Sequence, residues 1–170
     1  MTKPAITGFD PNATLEPWPE FQEAEIASGS RAQSGLTLFE DKARGVTAGV
    51  WQQDANESHW MTYPVNEWML VLDGAVVIVE EDRMTSVKAG QSFIIPKGLR
   101  CRWTQPGKVR KFFVIFDDAS GLANKEPLHT IKIDPNVALE PSAPPSEAVL
   151  LSPVPVQHTH EYFTDATGQL

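Results

Sequence analysis

Short β-prone runs, each ended by a turn signal, fill the chain from Leu36 to Asp118. That rhythm predicts an all-β sandwich or barrel. Trp68 to Leu72 and Ala75 to Val79 flank Asp73-Gly74. An Asp-Gly pair between apolar runs predicts a tight hairpin turn, with positive φ at both central residues. Ala89-Gly90, Pro96-Lys97-Gly98 and Pro106-Gly107 mark later turns, and Lys111 to Phe116 supplies a closing strand. No segment carries a helix-period apolar stripe of useful length. Residues 1–30, interrupted by Pro4, Pro11, Pro17 and Pro19, read as an arm lying along a surface.

Size and charge narrow the function classes. A chain of 170 residues buries one good core and is too short for two full domains. Its net charge of −8, with Lys108, Arg110 and Lys111 as the main basic cluster, argues against nucleic acid. No apolar run approaches the ~20 residues of a membrane helix, and the first residues lack a signal-peptide core. The single cysteine permits no internal disulfide and fits a reducing compartment, so a cytoplasmic location is expected.

Two spacings carry a family resemblance. Gly90, Pro96 and Gly98 follow the order Gly, five residues, Pro, one residue, Gly, and two residues later comes Cys101. This resembles the second motif of the cupin superfamily, in which the Cys101 slot holds a histidine. Glu67, with six residues between it and Gly74, resembles the first motif, but the two histidines that should precede it are missing. Trp60 and Thr62 stand in their place, or Met61 and Tyr63 if the strand is read one residue over. Residues 46–118 are similar to the subgroup that includes ureidoglycine aminohydrolase and the ethanolamine-utilisation cupin. Gly49-Val50-Trp51, Tyr63-Pro64, Arg102-Trp103 and Val109-Arg110-Lys111 add to that likeness. The resemblance implies an all-β fold, the cupin double-stranded β-helix or jelly-roll barrel, with its site in the narrow mouth. The expected layout is an arm at 1–30, a barrel at 31–125, and a linker with a partial second copy of the arm at 126–170.

The resemblance also implies a metal held by three histidines and a glutamate. Three of those four ligands are replaced here, so no metal site is expected. The donors left for a divalent ion are Glu67, Cys101 and His59. His59 turns inward if Met61 and Tyr63 do, and outward if Trp60 and Thr62 do. Trp60, Tyr63, Glu67, Cys101 and Trp103 are expected to line an aromatic cavity that binds a small organic molecule. Such a pocket favours a ligand offering a cation or hydroxyls to Glu67 and an apolar face to the tryptophans. Glu67, a carboxylate among aromatic rings, is the candidate catalytic acid or base; its alternative role is a structural partner of Tyr63 or an arginine. Cys101 reads as a buried filler, since alternation sends Arg100 and Arg102 to the opposite face. The subgroup resemblance leaves open a metal-dependent hydrolase or lyase acting on a ureido or amino compound. A third reading is an assembly role with a vestigial pocket.

The end of the chain repeats its beginning. Asp10 to Pro17 matches Asp134 to Pro141 at six of eight positions, and Glu23-Ala24, Phe39 and Asp41 recur at the same offset of 124 residues. This reads as one cupin followed by the opening arm of another, ending at Leu170 before a second barrel begins. The apolar tail residues are expected to dock on a barrel surface, with a homodimer formed by strand addition as the favoured arrangement.

Overall fold

The structure is a computed structural model that describes residues 8–117, 124–125 and 128–168. Pro4, Asp118 and Leu170 therefore lie outside the described residues. The arm contributes β1 (Glu16–Trp18) and β2 (Ile26–Gly29). The barrel follows as β3 (Gln33–Asp41), β4 (Val46–Gln53), β5 (Asn56–Ser58), β6 (Met61–Thr62), β7 (Asn66–Asp73) and β8 (Ala75–Val79). It continues with β9 (Met84–Lys88), β10 (Ser92–Ile95), β11 (Arg100–Gln105) and β12 (Val109–Phe116). Three short strands close the series: β13 (Ile131–Lys132), β14 (Glu140–Pro141) and β15 (His158–Thr159). Among the described residues there is no α-helix, only a 3₁₀ turn at Glu147–Val149.

Two antiparallel sheets face each other. One runs β1-β3-β4-β12-β7-β10-β13, and the other runs β2-β5-β11-β8-β9 with β6 beside β11. Alternation then decides what enters the core. Glu67, Met69 and Val71 of β7 turn inward, as do Val109, Lys111 and Phe113 of β12 and Cys101, Trp103 and Gln105 of β11. Phe93 and Ile95 of β10 and Val76 and Ile78 of β8 are fully buried between the sheets.

The Asp73-Gly74 expectation is corrected. β7 and β8 lie in different sheets and do not pair, so this dipeptide is a corner where the chain crosses between layers. Among the described residues no non-glycine residue has positive φ, which removes the two-residue hairpin turn. Gly74 itself sits at φ +82°, and a Cβ there would collide with the Lys108 carbonyl oxygen. The arm pairs with both sheets, β1 with β3 and β2 with β5. Arg110, on the outer face of β12, fixes its start by donating to the Pro11 carbonyl at 2.8 Å and to that of Ala13 at 2.6 Å.

The tail repeats the arm in geometry as well as sequence. β14 pairs with β15 as Glu140↔Thr159 and Pro141↔His158, while β1 pairs with β3 as Glu16↔Gly35 and Pro17↔Ser34. Asn136 N donates to Asp134 Oδ1 at 2.9 Å just as Asn12 N donates to Asp10 Oδ1 at 2.8 Å. Leu151, Val156 and Val149 of the tail stay exposed.

Candidate functional site

A cavity of about 700 Å³ opens between the sheets. Trp51 of β4, Trp103 of β11 and Phe113 of β12 supply barrel walls, and Trp18 and Phe21 of the arm supply another. Trp18 reaches this position because Gly35 has no side chain where its ring lies, and it meets Phe113 edge-on at 6.2 Å. His59 and Trp60, both exposed, stand at the mouth. The Trp60 ring lies 5.6 Å from the Arg100 guanidinium and 5.9 Å from that of Arg102.

The buried end of the cavity is charged. Lys111 Nζ donates to Glu67 Oε1 at 2.8 Å, with both side chains almost wholly buried. Tyr63 donates its hydroxyl to the other oxygen, Glu67 Oε2. The ammonium also lies 2.9 Å from Met69 Sδ and 4.9 Å from the ring centroids of both Trp51 and Trp103. An isolated buried charge is expensive. Here the carboxylate has an ammonium and a phenol, and the ammonium has a carboxylate and two indole faces. The sequence shows Lys111 only as a member of a small basic cluster with Lys108 and Arg110. The signal that could have found it is the period of two joining Val109, Lys111 and Phe113, blurred because Phe112 and Val114 are apolar as well.

A metal does not fit this arrangement. An ion bound to Glu67 would sit about 2.0–2.2 Å from an oxygen already held by Lys111 or Tyr63, against the ammonium's positive charge. The Glu67, Cys101 and His59 set does not assemble either. Tyr63 and Met61 turn inward, yet β5 ends at Ser58 and β6 begins at Met61, so alternation does not carry through to His59. His59 stays at the mouth, its backbone N–H bonded to the Glu25 carbonyl at 2.9 Å. Of the five expected lining residues, Trp60, Tyr63, Glu67 and Trp103 border the cavity and Cys101 does not. Nor does Glu67 await a cation from a ligand, because the chain supplies one.

Residues 40–113 match the family model described as the EutQ-like cupin domain. This chain carries a cupin domain. A protein of unknown function from Pseudomonas syringae pv. tomato is 30% identical, with a TM-score of 0.63, over 66% of this chain and 48% of that one. The chain thus spans about half the length of that relative. The EutQ protein of Clostridium difficile is 20% identical with a TM-score of 0.45, covering 58% of this chain and 80% of its own. A putative ethanolamine utilization protein Q from Salmonella typhimurium is 21% identical with a TM-score of 0.45, covering 61% and 98%. No curated protein matches the chain.

Within the domain, Cys101 is fully buried behind the cavity wall. Burial, and then the negative charge of Glu80, push its thiol up to about 12. Burial, and then the Glu67 carboxylate, hold the Tyr63 hydroxyl well above its usual range. Both groups bind their protons more tightly in the folded chain, so their stabilisation is complete below the unfolded-state value and is lost as pH rises toward the folded one. For Cys101 the window runs from the ordinary 9.0 to about 12, and for Tyr63 it opens only at 10.0. Unfolding free energy should therefore fall with pH above 9.0, and Cys101→Ala should remove the part of the fall that precedes the tyrosine. Parallel wild-type and variant profiles in urea titrations at stepped pH would count against this account.

Among the described residues, Glu80, Asp82 and His129 bring one ligand atom each within 4.8 Å of one another. They already serve other ends. Buried Glu80 accepts from Thr130 N–H at 2.9 Å and lies 3.1 Å from His129 Nδ1, while Arg83 lies 3.1 Å from Asp82 and 3.8 Å from Glu80. His129 thus helps fasten the linker to the barrel.

Proposed function

We propose that this cupin is a receptor for a compact organic molecule, bound in the aromatic cavity without a metal. The observation that carries the reading is a cavity of about 700 Å³ walled by tryptophans and closed at its buried end by a self-neutralised ion pair. That volume falls within the range of small-molecule sites, and apolar walls with a few convergent polar groups are their usual form. Among the described residues no helix is long and apolar enough to cross a membrane. We place the protein in the cytoplasm on the strength of its single unpaired cysteine. The shared register of β1–β3 and β14–β15 supports a duplication of the arm, and the exposed Val149, Leu151 and Val156 favour a homodimer built through the tail. Light scattering should then report a dimer for the full chain and a monomer after deletion of residues 142–170. An unchanged mass would exclude that role for the tail.

Ala24, exposed on the arm yet lining the cavity, provides a test. Ala24→Trp should fill the space with little effect on folding. Indole, p-cresol and acetophenone should raise the wild-type unfolding temperature by mass action, whereas the plugged variant should gain nothing. Equal responses from the two proteins would exclude the cavity as the binding place.

A further inference from the structure

We propose that Lys111 is the group that reads the ligand, and that the ligand is an uncharged carbonyl compound whose oxygen accepts a hydrogen bond from the Lys111 ammonium. The proposal rests on the cavity being the binding site and adds the chemistry of what enters it. A lysine ammonium has three N–H donors. One is well used, on Glu67 Oε1 at 2.8 Å. Another meets Met69 Sδ at 2.9 Å, and a thioether is a weak acceptor. The indole faces of Trp51 and Trp103 satisfy the charge without offering a directed acceptor. Lys111 therefore borders the cavity with donor capacity to spare. A ligand oxygen that displaces the thioether gains a charge-assisted hydrogen bond.

Charge then selects among oxygen-bearing ligands. The carboxylate of Glu67 already neutralises Lys111, and Tyr63 occupies the carboxylate's second oxygen. A ligand cation would meet the ammonium and find no free anion. A ligand carboxylate would put a second negative charge beside Glu67 where the dielectric is low. An uncharged carbonyl oxygen avoids both costs, and the rest of the ligand lies against the aromatic walls.

Four probes of similar shape separate the possibilities: acetophenone, ethylbenzene, benzoate and benzylammonium. Calorimetric titration of the wild-type chain should show acetophenone binding about ten-fold or more tighter than ethylbenzene, the size expected of a hydrogen bond to a charged group. Benzoate and benzylammonium should be the weakest. In Lys111→Met/Glu67→Gln, which keeps the shape and removes both charges, the acetophenone preference should fall to near parity. The infrared carbonyl band of bound acetophenone should lie at lower frequency in the wild type than in that variant. Equal binding of acetophenone and ethylbenzene, a preference that survives in the double variant, or tightest binding by either ion would overturn the proposal and leave the cavity reading standing. If none of the four binds the wild type, the cavity reading fails and this one fails with it.

Discussion

Lys111→Met is expected to lower the unfolding free energy by about 3–5 kcal/mol, the cost of leaving one partner of a buried ion pair alone. Glu67 would keep its bond from Tyr63 but lose the ammonium that balances its charge. The double variant Lys111→Met/Glu67→Gln should recover most of the loss, since two groups of matched shape and no charge need no ion pairing. Urea unfolding of the three proteins at neutral pH measures both effects. A single variant within about 1 kcal/mol of wild type, as for an exposed pair, would show that the pair is solvated.

Gly74→Ala should be comparably severe, at about 3 kcal/mol or more, for two reasons that add. Its φ of +82° is poorly open to residues with a side chain, and the new Cβ would strike the backbone carbonyl of Lys108, which cannot rotate away. Gly90 is the natural control: its φ is +83°, but nothing lies within 4 Å of an added Cβ. Gly90→Ala should cost only the conformational part, about 1–2 kcal/mol. Equal midpoint shifts in urea would mean that the Gly74 corner relaxes and that close packing at the crossing adds no constraint.

The contrast between these two glycines shows how far the sequence was legible. Both were readable as turns, and the strand runs around them were readable as strands, because period and turn chemistry are local properties. What Gly74 does was not local. Asp73-Gly74 looks like a hairpin from its flanks alone, and only the partition of β7 and β8 between two sheets makes it a crossing. The site divides in the same way. Whether Trp60 and Thr62 or Met61 and Tyr63 turn inward was open to a one-residue ambiguity, which the short β6 resolves with Met61 half-buried and Thr62 exposed. Lys111 was out of reach because its role depends on Glu67, 44 residues earlier, and on two tryptophans from β4 and β11. A lysine in an apolar strand looks like a surface residue until a buried carboxylate is found opposite it. Cys101 fell in the histidine slot by spacing, yet its side chain packs outside the cavity, among core residues with Glu80 nearby.

The central claim is that the positive charge at the buried end of this barrel belongs to Lys111 and leaves no room for a metal. Anomalous diffraction from crystals grown with zinc and with manganese, recorded on both sides of each absorption edge, tests it most directly. The account predicts density for the Lys111 side chain within hydrogen-bonding distance of Glu67 and no anomalous peak at the carboxylate. A metal peak about 2.0–2.2 Å from a Glu67 oxygen, with Lys111 turned away, would contradict it.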